Sequence, residues 1–451
     1  MERAMTQGTE WKVILLFTLP IMAGNFLQQL YSTVDSIVVG QFVGESALSA
    51  VGTCTPMVML FLALSNGLGI GISVVVSQFF GAGQLEEMAR AITTAIRLMA
   101  LVGIVLTGIA QLVTPFLLSV VLGVQNPVIL EMAILYFRIY AGGLLFQFIY
   151  NCVASILRAV GDSKATLYFL AVSSLANIGL DLLFVVGFNW GVAGAGIATG
   201  LAQALCAAVS VAYMRRQLSA AREGAPFTWP LCRLILKMGI PASIQMSIVS
   251  VGNLAMQRLV NGFGDAAMAA YTAGVRIDNF VTIPALSFHT GMANFVGQNI
   301  GAGKWGRVRR GWRQTLLMAF GLSIGIGILA FLFARPIVAL FGVSGDSLEM
   351  GVEMIRFMAL TFWLFGIYQT SNGLLEGAGD VVVASGCTLL ALATRVILGY
   401  LAVWMGILTY NAGWATMPVC WCVALSVVLI RYGSGRWKSK AVVKQAVAEE
   451  E

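Results

Sequence analysis

Residues 13–40 read VILLFTLPIMAGNFLQQLYSTVDSIVVG, an apolar stretch with one proline, Pro20, and one acid, Asp35. As a helix rising roughly 1.5 Å per residue it is long enough to cross a bilayer, which takes about 20 residues. An aspartate at that depth costs on the order of 2.5–3.5 kcal/mol on insertion scales, so Asp35 is expected to face protein or water and to have a function there. Tyr31 lies one turn before it and Gln28 nearly two turns, which extends a polar stripe along the same face. Pro20 frees a backbone carbonyl in this helix and allows a bend. The competing interpretation makes Asp35 a packing residue satisfied by a neighbour.

The whole chain has the same character. It has 451 residues, 59% of them hydrophobic and 10% charged, with a mean hydropathy of +0.87; a soluble protein carries roughly 25% charged residues. Helix-length apolar stretches recur and strand alternation is absent, which selects a polytopic helical bundle over a barrel. The net charge of +7 comes from basic residues placed between apolar segments, so membrane topology explains it better than nucleic acid does. The seven cysteines form no CxxC pair and read as buried thiols. His289 is the only histidine, which excludes a His-based metal site. The first span has no small-residue cleavage site after it and is expected to be retained.

Twelve spans are expected, at about 13–38, 47–75, 92–117, 128–156, 165–187, 192–214, 237–260, 267–296, 314–334, 347–375, 382–405 and 412–431. Lys and Arg then set the orientation. With a cytoplasmic N-terminus, the inner segments hold Arg3, Lys12, Arg90, Arg97, Arg158, Lys164, Arg215, Arg216, Arg222, Arg233 and Lys237 from the first part of the chain. They also hold Lys304, Arg307, Arg309, Arg310, Arg313, Arg431, Arg436, Lys438, Lys440 and Lys444, while the outer loops hold Arg335. That bias places both termini in the cytoplasm. The longest inner connection, about residues 215–236, contains Arg222, Glu223, Gly224 and Pro226 and reads as a solvated linker near the middle of the chain.

The two halves repeat. SQFFGAG at 77–83 returns as GQNIGAG at 297–303, an offset of 220. At nearly the same offset Pro20 matches Pro241, Gly44 matches Gly264, Arg90 matches Arg310 and Pro115 matches Pro336; Gly161-Asp162 returns as Gly379-Asp380 at 218. An ordered series of this kind is a duplication. The fold expected is therefore an all-α membrane protein of twelve transmembrane helices in two pseudo-symmetric six-helix lobes, 1–220 and 221–451. An even number of spans per half gives parallel repeats, the arrangement of transporters that rock two lobes about a central cavity.

The repeats differ where charge is concerned. The fifth span carries Asn177 and Asp181, four apart and so on one face. Their counterparts at an offset of 218 are Arg395 and Gly399, and Asp35 aligns near Met256 or Gln257. Intramembrane acids thus gather in the first half, and a cation site is expected in one lobe.

The first span from Leu19 to Gly40, the SQxxGAG end of the second, the Leu157-to-Asp162 turn after the fourth and the duplication together resemble the multidrug and toxic compound extrusion (MATE) transporters. The resemblance covers about residues 10–432. It implies antiport of organic cations against H⁺ or Na⁺ in a bacterial inner membrane, and a cation site formed by Asp35, Asn177, Asp181 and Thr199. Tyr31 would tune that site and Pro20 would be the bending point. Two close carboxylates in a low dielectric cannot both ionise cheaply, so the pair should hold a proton, or Na⁺ with the Asn177 and Thr199 oxygens as further hard ligands.

No cofactor beyond the coupling ion is implied, no nucleic-acid partner, and nothing demands more than a monomer in the lipid bilayer. The first rival is a flippase for lipid-linked saccharides, which would favour a strongly cationic cavity that these spans supply poorly. The second is a receptor or scaffold without transport. An enzyme is least favoured, since no nucleophile–base pair, metal cluster or P-loop is present. Arg276, Asp278 and Arg395 are read chiefly as structural pairs or cavity residues, and His289 as a satisfied interior residue. Phe148 and Tyr150 are candidates for an adaptable pocket lining.

Overall fold

The computed structural model describes residues 5–218 and 225–443. Arg3, Arg222, Glu223, Gly224 and Lys444 of the assignments above lie outside the described residues.

Among the described residues every regular element is helical. The first half gives α1 (Glu10–Phe42), α2 (Glu45–Gly81), α3 (Leu85–Phe116), α4 (Pro127–Gly142), α5 (Leu144–Ala159), α6 (Ser163–Asp181) and α7 (Gly191–Gln217). The second gives α8 (Trp229–Asn261), α9 (Asp265–Val281), α10 (Ile283–Gly301), α11 (Trp305–Leu332), the short α12 (Ala334–Ala339), α13 (Gly345–Gly377), α14 (Val381–Trp404), α15 (Ala412–Ala415) and α16 (Met417–Gly433). Ten helical stretches are each long and apolar enough to cross a membrane, and α4 with α5, bent by 45°, make an eleventh. The stretch expected as the eighth span folds as α9 and α10, broken at Thr282. This pair carries Arg276, Asp278 and His289, and falls short of the apolarity of the others. Leu112, Leu317 and Ile430 stay 81%, 73% and 72% exposed on their helices; such surfaces suit lipid rather than water. The protein is a multi-pass membrane protein.

The chain forms two compact units, and they do not follow the 1–220 and 221–451 division. The first comprises Ala23–Ser243, and the second takes Met5–Met22 together with the chain from Ile244 onward. Each boundary falls two residues after a proline inside a 33-residue helix, Pro20 in α1 and Pro241 in α8. Packing explains the exchange. In the second unit the Met5 amide donates to Gln298 Oε1 (2.7 Å), the Trp11 amide donates to Gln314 Oε1 (2.8 Å), and Glu10 pairs with Arg310 (3.0 Å). Ile14, Phe17 and Ile21 join the core of Met292 and Phe295. In the first unit the Thr228 amide donates to Thr94 Oγ1 (3.1 Å), and Ser243 Oγ donates to the Leu64 carbonyl (3.1 Å). A solvated linker is visible in composition; the partner of half a helix is not.

The duplicated motifs fold alike. Gly83 and Gly303 both take the left-handed backbone (φ 69° and 71°), which only glycine enters cheaply. There the Gln84 amide reaches back to the Phe79 carbonyl, and Lys304 to Asn299. After the matched Gly161 and Gly379, Asp162 Oδ2 accepts from the Tyr213 hydroxyl (2.8 Å), and Asp380 Oδ2 accepts from Arg431 Nε (2.6 Å). Tyr213 and Arg431 are themselves 218 apart, so one latch is built twice with different chemistry.

Candidate cation site of the first unit

Asp35 sits on the second half of α1, Asn177 and Asp181 on α6, and Thr199 on α7; all four lie in the first unit. Asn177, Asp181 and Thr199 are buried, and Asp35 is half-buried. The helix period places Asn177 and Asp181 on one face of α6. Directly after Asp181 the helix widens into a π turn, Leu182–Gly187, a distortion often found at functional sites.

The carboxyl groups of Asp35 and Asp181 lie within hydrogen-bonding reach of each other. Hydrogen bonding sets the orientation of the Asn177 amide. Its nitrogen donates to Asp181 Oδ2 (2.9 Å) and its oxygen accepts from the Thr199 amide (3.3 Å). Thr199 Oγ1 donates to the Ala195 carbonyl (3.0 Å) and stands 3.5 Å from the Asn177 amide. One oxygen of each acid, Asp35 Oδ1 and Asp181 Oδ1, is buried with no donor among the described residues. Two ionised carboxylates offer each other nothing but repulsion, so a facing pair with orphaned oxygens is a seat for one positive charge. The donors present are all hard oxygens, which fit a proton or Na⁺.

The structure thus brings Asp35, Asn177, Asp181 and Thr199 together. Tyr31, one turn from Asp35 and half-buried, lies within electrostatic reach of both acids. Gln28 is exposed on α1. Pro20 belongs to the half of α1 that packs in the second unit. Sequence reasoning missed Tyr136 and Tyr140 on α4, both buried and within reach of the Asp35–Tyr31 region. Their spacing of four on one apolar span was the available signal.

In the second unit the equivalent positions have no acid pair. A Cβ added to Gly399, the Asp181 counterpart, would lie 2.9 Å from Cε of Met256, so the methionine fills this space. Arg395, the Asn177 counterpart, donates to Asn253 Oδ1 (3.1 Å), the Tyr271 hydroxyl (3.1 Å) and the Gly413 carbonyl (3.0 Å). His289 lies between the Gln369 carbonyl (3.0 Å) and Glu376 (3.0 Å), a satisfied pair. Asn372, also missed, is buried beside Thr388, which bonds the Tyr368 hydroxyl (2.7 Å).

Comparison with known proteins agrees with this architecture. The MatE family model matches residues 20–183 and 241–401. The chain is 28% identical to the probable multidrug resistance protein YpnP of Bacillus subtilis, over 96% of this chain and 97% of that protein. It is 24% identical to the probable multidrug resistance protein NorM of Thermotoga maritima, over 97% and 96%. A solved outward-facing MATE family transporter of the MOP superfamily shares the fold, with a TM-score of 0.88 at 22% identity over 97% of this chain and 98% of that one. The repeated half-chain matched twice by one model, the helical fold and the multidrug resistance relatives lead to one statement: this chain belongs to the MatE family of multidrug efflux transporters.

Proposed function

We propose that the protein is a cation-coupled antiporter of the bacterial inner membrane, with both termini cytoplasmic. It exports amphipathic organic cations by rocker-switch alternating access. One observation carries this: Asp35 and Asp181 face each other with an orphaned oxygen each, inside an otherwise apolar bundle. A coupling cation there changes the net charge of the site by one unit. The two carboxyl groups stand close enough to share one proton, with the Asn177 and Thr199 side chains beside them, so H⁺ is the coupling ion proposed and Na⁺ its alternative.

Coupling requires that the ion and the substrate prefer different states of the protein. Helix α1 offers the lever. Asp35 sits in its second half, its first half is anchored through Met5, Glu10 and Trp11, and Pro20 removes a hydrogen bond between the two. Neutralising the acid pair changes what holds the second half of α1 and biases this joint. The protein acts as a monomer in the lipid bilayer and needs no cofactor besides the ion.

The test uses purified protein in liposomes loaded with a fluorescent organic cation, with a proton or a sodium gradient imposed separately. Movement driven by the proton gradient and lost in Asp181→Asn is the expected result. Movement driven by sodium alone would replace the proton as coupling ion. No movement under either gradient would overturn the antiport function and turn attention to lipid-linked substrates.

A further inference from the structure

Where α10 turns into α11, the basic residues of the second unit fall into two sets. Lys304, Arg307 and Arg310 hold the segment that leads into α1. Lys304 Nζ donates to the Thr6 carbonyl (3.0 Å), and Arg310 pairs with Glu10 (3.0 Å). The terminal nitrogens of Arg307 donate to the carbonyls of Met5 (3.2 Å), Gln7 (2.9 Å) and Gly8 (2.6 Å). The other set is Arg309, Arg313, Arg436, Lys438 and Lys440. Their side chains have no hydrogen bond or ion pair among the described residues, and all are exposed except Lys438, which is half-buried.

Topology explains why positive charge collects between spans; it does not require that the unengaged charges share one face. Here they do. Arg309 and Arg313 follow Trp305 at spacings of four on α11, and the same face continues to the exposed Leu317 and Phe320. The 3₁₀ turn Arg436–Lys440, which follows α16, is held against this face by its aromatic residue. Trp437 is buried, stacks on Tyr432 with ring centres 5.6 Å apart, and meets Trp305 edge-on at 5.8 Å. Lys438 Nζ lies 5.9 Å from the Trp305 ring centre.

A helix face that changes from guanidinium to bare leucine within one turn belongs where head groups meet hydrocarbon, the level that tryptophan also favours. Cations gathered there without carboxylates attract anionic head groups. Guanidinium groups fit phosphate as a two-pronged fork. Residues four apart on a helix have Cβ atoms roughly 5–6 Å apart, so Arg309 and Arg313 suit two phosphates joined by a short linker. A choline head group instead brings a cation of its own to a positive face. Nucleic acid or an acidic protein would approach from water and leave the continuity with Leu317 and Phe320 without a role.

We propose that the first turns of α11 and the turn after α16 form a binding site for an anionic phospholipid, with preference for one that carries two phosphates. The site uses none of the residues of the Asp35–Asp181 pair and does not rest on the antiport function.

Radiolabelled cardiolipin is the probe, measured at equilibrium on the full-length protein in a neutral detergent at low ionic strength. Wild type is expected to bind it saturably, with phosphatidylglycerol competing more weakly and phosphatidylcholine not at all at the same concentration. Arg309→Gln combined with Arg313→Gln should weaken binding at least tenfold with unchanged elution on size exclusion. Arg309→Lys with Arg313→Lys keeps the charge, loses the forks and should weaken it about threefold. If the glutamine pair does not fold, Lys438→Gln with Lys440→Gln should weaken binding at least threefold. Arg335→Gln, which removes an exposed arginine of α12 paired with Glu349, should leave it unchanged. Equal binding in wild type and the glutamine pair, or an equal loss in Arg335→Gln, would overturn the site. Displacement by inorganic phosphate at the same concentration would assign the face to a free anion and overturn the lipid. Absence of saturable binding in wild type, the result if Glu449, Glu450 and Glu451 cover these cations, would overturn it as well.

Discussion

At the scale of single residues the behaviour of the site follows from two carboxyl groups in one another's field. Two unit charges 4 Å apart interact by about 4 kcal/mol at an effective dielectric of 20. Asp35 and Asp181 are close enough to hydrogen-bond, so the pair is disfavoured doubly ionised and gains from any cation it takes up. Replacing one acid by its amide removes both the repulsion and the ion seat. Asp35→Asn is therefore expected to keep or raise the melting temperature while abolishing gradient-driven transport. A thermal melt beside the liposome assay checks both halves of that outcome, and a destabilised Asp35→Asn would contradict it. Asn177 acts differently, because it satisfies Asp181 Oδ2 and receives the Thr199 amide. Asn177→Ala leaves buried groups unpaired and should cost about 1–3 kcal/mol, read as a lower melting temperature together with weakened coupling.

At the scale of elements, the helices meet where glycine lets backbones touch. On α13, a Cβ at Gly377 would collide with the Ala293 carbonyl oxygen of α10, and one at Gly373 with that of His289. Gly377→Ala must push α10 and α13 apart, and is expected to lower the melting temperature by several degrees. Gly386 on α14 has nothing within 4 Å of its added Cβ, so Gly386→Ala should leave stability unchanged or slightly raised. The paired melts decide whether close helix approach, rather than glycine content, holds the second unit. The duplicated turn latch offers a second comparison. The Asp380–Arg431 pair is an ion pair with Asp380 3% exposed, whereas Asp162 takes a neutral tyrosine hydroxyl. Breaking a buried ion pair costs about 3–5 kcal/mol against about 1–3 kcal/mol for a neutral hydrogen bond. Asp380→Asn should therefore lower the melting temperature more than Asp162→Asn does.

At the scale of the whole molecule the two halves are not independent folding blocks. Residues 5–22 pack in the second unit and residues 225–243 in the first, so each half of the chain completes the other. Expressed alone, residues 1–220 or 221–451 lack the helix segment that their unit requires, and each exposes the surface meant for it. Neither half is expected to accumulate in the membrane by itself. Co-expressed, they should assemble and restore transport, since the break falls in the polar connection between α7 and α8. Membrane yields and liposome transport of the three preparations test this; a half that is stable alone would refute the exchange.

Several features needed nothing but the chain. The membrane class follows from composition, because 10% charged residues cannot cover a soluble protein of this length. The duplication is written in spacing, and the structure gives its repeated turns the same hydrogen bonds. The acids on α1 and α6 were legible for a similar reason: a charge within an apolar helix is costly wherever it stands, so its presence is informative before any fold is known. What the sequence could not carry was who meets whom. The exchange of helix halves at Pro20 and Pro241 and the two tyrosines of α4 beside the acids depend on contacts between residues far apart in the chain, and the pairing of Asp35 with Asp181 is expected only through the family resemblance, not from spacing. Helix periodicity fixes which residues share a face, but the partner of each face is chosen by packing of the whole bundle, and only the tertiary structure decides that.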